Sequence, residues 1–282
     1  MNDRYADIKS RILELARTDD HIRAVVMIGS STRNDIKADD YSDLDLIIAS
    51  EDTESWLYGG IPDLLGDLRI SFVEPTLGGG TERRVLYGNA LDVDMIIFTP
   101  EQFEAAARDG AAGWVCNRGY SVLYDSMDIT GLLAEYVSSE IQPPDMTESE
   151  YLNLVNDFCF HTVWASKKLL RGELWSAKMC IDAYLKNYLL RMIEMYSAHK
   201  YGDDVWHSGR FLDAWAENGI KRSLPACFAH YDRNDMISAL LETKKLFTAL
   251  AEQVAVIKGF KFPETAVRYS DELLQEWFGS RE

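Results

Sequence analysis

The chain has 282 residues, 47% hydrophobic and 27% charged, which excludes a disordered chain and leads us to expect two domains with sizeable cores. It carries 46 acidic and 29 basic residues, a formal net charge of −17; such a surface repels nucleic acid and anionic membrane and favours cationic partners, although solubility alone also accounts for it. No apolar run is long enough to span a membrane, no secretory leader opens the sequence, and Cys116, Cys159, Cys180 and Cys227 form no C-x-x-C pair, so we expect a cytoplasmic protein without a zinc site or disulfide framework.

In chain order, the spacing of Tyr5, Ile8, Ile12, Leu13 and Leu15 predicts a helix over 4–17. The run Ala24 to Ile28 predicts a buried strand ending at Gly29, and residues 31–42 read as a loop. Further strands are predicted at Leu44–Ala49, Ile70–Val73, Val85–Tyr87, Leu91–Phe98 and Val122–Tyr124, with Gly78-Gly79-Gly80 as a flexible loop. Pro100 starts a helix through Arg108, as proline suits the first helical turn. Gln142-Pro143-Pro144-Asp145 reads as a linker and Thr147 to Glu150 as a helix start. Beyond it strand signals nearly vanish. Helices are predicted at 148–170, 176–197, 208–217, 234–257 and 270–278, the first two on apolar stripes through Tyr151, Val155, Phe158, Val163 and Leu169, and through Ile181, Leu185, Tyr188, Met192 and Tyr196. The expected fold is therefore α+β: a mixed-sheet domain over 1–142, then an all-helical bundle over 143–282.

The chemistry concentrates where the first two strands meet. Gly29-Ser30 ends one strand, and Ser42-Asp43-Leu44-Asp45 leads into the next. Side chains alternate along a strand, so Asp43 and Asp45 share a face while Leu44 and Leu46 turn into the core. Two adjacent carboxylates repel, and a divalent cation with oxygen ligands, magnesium above all, relieves them. Asp94 in Leu91-Asp92-Val93-Asp94-Met95-Ile96-Ile97 sits where an apolar residue would continue a strand, a costly position unless it binds a cation or acts as a base. Should the two strands be neighbours, three carboxylates converge into a site for one or two metal ions. Gly29 allows close backbone approach to a phosphate, and Ser30 adds a donor. Alone, an aspartate pair before a strand is also a common solvent-facing cap.

Together these residues resemble the signature of the nucleotidyltransferase superfamily that includes DNA polymerase beta. Gly29 to Ile48, Val93 to Ile97, Asn156-Asp157-Phe158 onward through Leu189 to Ile193, Tyr231-Asp232, and Phe262-Pro263-Glu264 resemble in order the aminoglycoside 6-adenylyltransferases, which modify streptomycin. The resemblance implies a polymerase beta-like nucleotidyltransferase domain followed by a helical substrate-binding domain, and transfer of AMP from ATP to a hydroxyl of a cationic aminoglycoside, the 6-hydroxyl of streptomycin; the acceptor is expected in a cleft between the domains, since ligand sites favour domain interfaces. It implies that Asp43 and Asp45 hold Mg2+, that Asp94 completes the metal site or deprotonates the acceptor, and that Gly29, Ser30 and Ser42 contact the triphosphate. Lys178 is a candidate for the ATP phosphates, with a surface lysine as the default reading. The family's Gly-Ser-Arg pattern is displaced here, with the basic residue at Arg33. Another small-molecule or protein acceptor, or a non-catalytic nucleotide-binding relative, are the alternatives. The oligomeric state stays open.

The remaining polar residues are weaker candidates. Asp92 fits either a substrate contact or a solvated strand start. Glu150, Glu173 and Asp182 are candidate partners for a guanidinium-bearing substrate, and individually fit solvated charges. Lys167, Lys168 and Arg171 suit the negative end of a helix dipole. Trp164, Trp175, Trp206 and Trp215 read as core or domain-interface residues, and the histidines lack metal-ligand spacing.

Overall fold

The structure, a computed structural model, describes residues 3–33, 38–76, 80–138, 142–205 and 207–279. The chain divides into two compact units, Met1–Ile141 and Gln142–Glu282. The first contains α1 (Ala6–Thr18), β1 (Ile22–Ile28), β2 (Leu44–Ser50), α2 (Thr53–Leu57), α3 (Ile61–Leu65), β3 (Leu68–Pro75), β4 (Thr81–Tyr87), β5 (Leu91–Phe98), α4 (Pro100–Arg108), α5 (Ala111–Cys116), β6 (Ser121–Asp125) and α6 (Ile129–Tyr136). The strands form one sheet in the order β3-β4-β5-β2-β1-β6. Only β2 and β5 run parallel; every other pairing is antiparallel.

Both sheet faces are covered. Ile8, Ile12, Leu44, Leu46, Ile48, Val93, Met95 and Trp56 fill one core. Ala24, Val26, Ile28, Ile47, Ala49, Phe98 and Phe103 fill the other, under α4 to α6. This explains the near-continuous apolar runs of β1, β2 and β5, which are buried on two sides. It also shows that the face carrying Asp45 and Asp94 is itself a core face along most of its length.

The second unit is all helical among its described residues: α7 (Glu148–Leu170), α8 (Leu174–Met179), a π-helical turn at Cys180–Tyr184, α9 (Leu185–Tyr201), α10 (Leu212–Trp215), α11 (Asn218–Ser223), α12 (Arg233–Lys258) and α13 (Glu264–Phe278). Thr147 caps α7 in a reciprocal box with Glu150, as the sequence Thr-Glu-Ser-Glu suggested. Thr162 and Ser166 lie buried on α7 because their hydroxyls donate to the carbonyls of Phe158 and Thr162 at 2.8 and 2.9 Å; their stripe replaces Val163, which is only half-buried. Phe158 and Phe247 stack at the centre, centroids 3.6 Å apart and planes 5° from parallel. Phe247→Ala is expected to cost about 3–5 kcal/mol, read as a lower denaturant midpoint for the helical unit.

The α+β class stands as expected, with differences in detail. The helix predicted at 176–197 is interrupted by the π turn. The one predicted at 208–217 is broken, because Ser208, Gly209 and Phe211 all adopt positive φ; only the single turn of α10 remains. β4 starts four residues before the predicted Val85, since Glu82 and Arg84 face away from the core that holds Val85 and Tyr87. Trp164 and Trp215 pack against the helical core, whereas Trp175 is 70% exposed, a correction to its expected burial. Trp206, and Gly78 and Gly79 of the expected loop, lie outside the described residues. No helix among the described residues is long and apolar enough to cross a membrane. All four cysteines are buried thiols without a disulfide.

Candidate active site

The parallel pairing of β2 with β5 sets Asp45 directly opposite Asp94, flanked by Leu44 opposite Val93 and Leu46 opposite Met95. Asp43 enters on the residue before β2. Asp45 continues the inward row of Ile47 and Ala49, and Asp94 that of Ile96 and Phe98, so both carboxylates emerge where the core under α4 to α6 ends. One oxygen from each of Asp43, Asp45 and Asp94 lies within 4.8 Å of the others. The three carboxylates thus converge, as the alternation along the two strands requires once β2 and β5 are neighbours.

Asp94 is 7% exposed, and its Oδ1 is buried without a hydrogen-bond partner. Its other oxygen sits 3.2 Å from Arg84 Nη2. Burial pushes the Asp94 carboxyl up to about 8; Arg84 opposes this, while Glu82, Asp45 and Asp92 add to it. Burial also raises the Asp92 carboxyl, with Asp43 contributing. A buried, unsatisfied carboxylate oxygen facing two further carboxylates is a poor structural element and a good hard-cation ligand set. The donor set, three carboxylates and nothing soft, fits magnesium.

Arg84 was not anticipated. It lies opposite Asp94 across the β4–β5 pairing. Its guanidinium Nε bridges Glu74 and Glu82 at 2.9 and 2.7 Å, which fixes the arm that reaches Asp94. The signal was present in Glu82-Arg83-Arg84-Val85: once Val85 is set into the core, period-two alternation turns Glu82 and Arg84 to the aspartate face. Arg83, on the opposite face, donates to the carbonyls of Trp56 and Gly59 at 3.1 and 2.7 Å.

Gly29 follows β1 with φ +76°, and a Cβ built there would fall 1.8 Å from Asp45 Oδ2. Both the backbone angle and the carboxylate demand glycine. The turn over Gly29–Ser31 is closed by Thr32, whose hydroxyl donates to the carbonyls of Gly29 and Gly119, each at 2.9 Å. Gly119 is glycine for a similar reason: φ is +132°, and a Cβ would meet Thr32 O at 2.4 Å. Ser30 Oγ, in the same turn, is buried with no hydrogen-bond partner.

Two other expected contacts are engaged elsewhere. Ser42 Oγ donates to Asp39 Oδ1 at 3.1 Å and accepts from Asp39 N at 2.9 Å, closing the turn before β2. Its carbonyl accepts from the Tyr5 hydroxyl at 2.9 Å. Lys178 lies on α8 of the helical unit, where its ammonium pairs with Asp182 and donates to Ala229 O at 2.6 Å. Glu150 serves the α7 cap, and Glu173 pairs with Lys168 and Arg171.

Comparison with known proteins agrees with the resemblance read from the residues. Aminoglycoside 6-adenylyltransferase of Bacillus subtilis (strain 168) is 22% identical over 271 residues, 89% of this chain and 90% of that protein. The protein of the same name from Staphylococcus aureus is 21% identical over 277 residues, 91% of this chain and 93% of its own. The crystal structure of an aminoglycoside 6-adenyltransferase from Bacillus subtilis aligns over 99% of this chain and 100% of its own, with TM-score 0.48 and 17% identity. The description of streptomycin adenylyltransferase fits residues 3–276 continuously, through both units and the acidic cluster, and the chain therefore belongs to that family.

Proposed function

We propose that this chain transfers AMP from ATP to the 6-hydroxyl of streptomycin, releasing pyrophosphate, in the cytoplasm. Three carboxylates at the neighbouring ends of two parallel strands, one with a buried unpartnered oxygen, support the nucleotidyl transfer, and the family match supports the acceptor. In this scheme the first unit is the nucleotidyltransferase domain, and the helical unit binds acceptor. The net charge of −17 suits a cationic acceptor and disfavours nucleic acid and anionic membrane.

Magnesium held by Asp43, Asp45 and Asp94 would supply charge neutralisation and Lewis acidity at the phosphates of ATP. Gly29, with no side chain, lets the backbone approach a phosphate closely, and the unpartnered Ser30 hydroxyl is a candidate donor to it. Ser42 is the third candidate contact, and Lys178, paired with Asp182, is the fourth. Asp94 takes the proton of the acceptor hydroxyl. The acceptor oxygen then bonds to the α-phosphorus, the bond to the bridging oxygen breaks, and pyrophosphate leaves with the electron pair. Arg84 keeps Asp94 in place and limits how far burial raises its proton affinity. No covalent enzyme intermediate is required.

Mass spectrometry of streptomycin after incubation with enzyme, ATP and magnesium tests this directly. One added AMP is expected. No addition to streptomycin, alongside labelling of another acceptor, would refute the acceptor assignment.

A second expectation concerns protons. In the cation-free protein the Asp94 carboxyl sits at about 8, so at pH 7 it holds a proton that a cation must displace. Magnesium affinity should rise about tenfold per pH unit below that value and flatten above it. Isothermal titration at pH 7 in buffers of different ionisation enthalpy should report about one proton released per ion. Zero release would mean that Asp94 is already ionised.

A further inference from the structure

The helical unit carries a second carboxylate-centred cluster that the transfer chemistry above does not use. Asp157 lies on α7. Its Oδ1 accepts from His161 Nδ1, one turn along, at 2.6 Å and from the Tyr184 hydroxyl at 3.0 Å. Its Oδ2 accepts from the Tyr188 hydroxyl at 3.0 Å, and the two phenol oxygens lie 3.0 Å from each other. Tyr184 closes the π turn between α8 and α9, a helical irregularity that recurs at functional sites.

Aromatic rings frame this carboxylate. His161 and Tyr184 have centroids 4.2 Å apart, Tyr184 and Tyr188 5.0 Å, and Phe160 meets His161 edge-on at 5.2 Å. The group is open to solvent: the Asp157 side chain is 27% exposed and Phe160 65% exposed. Tying α7 to α9 requires the hydrogen bonds, but it does not require a phenylalanine left in water beside them. Two of the three donors are neutral phenols, and both phenols are held above their ordinary range, Tyr184 chiefly by its bond to Tyr188 and Tyr188 chiefly by burial. They orient the carboxylate without cancelling its charge.

A fixed carboxylate among ring faces selects a particular ligand chemistry. A guanidinium is planar and weakly hydrated; it stacks on aromatic faces while its N–H groups reach a carboxylate. An ammonium, compact and strongly hydrated, gains less from the rings. We propose that Asp157, with Phe160, His161, Tyr184 and Tyr188, docks a guanidinium group of the acceptor, an assignment that rests on the cationic aminoglycoside acceptor proposed above.

Titration calorimetry of the full chain with streptomycin, without ATP, tests it. Asp157→Asn is expected to raise the streptomycin Kd about tenfold or more, with the KM for ATP unchanged within about twofold. Phe160→Ala, at an exposed position whose loss leaves the core intact, is expected to raise it several-fold and decides the matter should Asp157→Asn fail to fold. Kanamycin, which carries amines and no guanidinium, should bind with a Kd that Asp157→Asn leaves nearly unchanged. An unchanged streptomycin Kd in well-folded variants overturns the proposal, as does an equal loss for kanamycin. Failure of the wild type to adenylylate streptomycin would refute the activity and leave the calorimetric result standing on its own.

Discussion

Asp94→Asn should reduce AMP transfer by on the order of 10³-fold or more in kcat/KM while making the ligand-free protein more resistant to heat. The amide offers the cation a neutral oxygen in place of a charged one and accepts no proton from the acceptor. Metal-assisted charge stabilisation is worth several kcal/mol, and each 1.36 kcal/mol is about tenfold in rate. The stability gain follows from linkage. The Asp94 carboxyl is raised in the folded protein from 3.8 to about 8, so the folded state holds a proton that the unfolded chain releases. Stability contributed by that proton is complete below pH 4 or so and is lost as pH rises towards 8. Asparagine carries no such liability. Arg84 keeps Glu74 and Glu82 as partners, so the substitution does not strand a cation. The variant should melt several degrees above wild type at pH 8, and the difference should close near pH 4. A lower melting temperature at pH 8 would show that the Arg84 contact outweighs the burial of the charge.

Such a trade between folding and chemistry is what made the site readable. Asp94 breaks an apolar run, and Asp43 and Asp45 alternate with Leu44 and Leu46, so each declares itself against a strand pattern that core packing imposes. The partners that tune these carboxylates do not. Arg84 and Glu82 look like ordinary polar residues until β4 is extended back to Thr81, and nothing local forces that extension; pairing with β3 and β5 does. Thr32 and Gly119 are far apart in sequence and meet only through the turn they close. The short helices α2 and α3 span five residues each, too few for a 3.6-residue period to show. The π turn is invisible for a related reason. Residues 176–197 keep an apolar stripe across it, because Ile181 within the irregularity and Leu185 just after it are both buried. Asp157 and His161, four apart on a helix, match a solvated polar stripe equally well; only Tyr184 from the π turn and Tyr188 from α9 distinguish the cluster.

Gly29→Ala should cost at least about 10²-fold in transfer, and its cause can be separated from simple backbone strain. Placing a side chain in the left-handed region costs about 1–2 kcal/mol wherever it is done. At Gly29 the new methyl would also occupy space 1.8 Å from Asp45 Oδ2 and 2.7 Å from its Cγ. Neither atom can stay, so the carboxylate must swing away from Asp43 and Asp94 or β1 must part from β2, where Ile28 pairs with Asp45. A displacement of about 1 Å at a reacting centre is enough for a loss of that order. Gly110 supplies the control within the same unit: its φ is +88°, and a Cβ there meets nothing within 4 Å. Gly110→Ala should lower the melting temperature through the backbone strain alone and retain transfer, whereas Gly29→Ala should lower it further and lose both transfer and tight magnesium binding. Equal activities for the two variants would mean that Asp45 tolerates the methyl, and that the spacing of the three carboxylates is not what the turn at Gly29 protects.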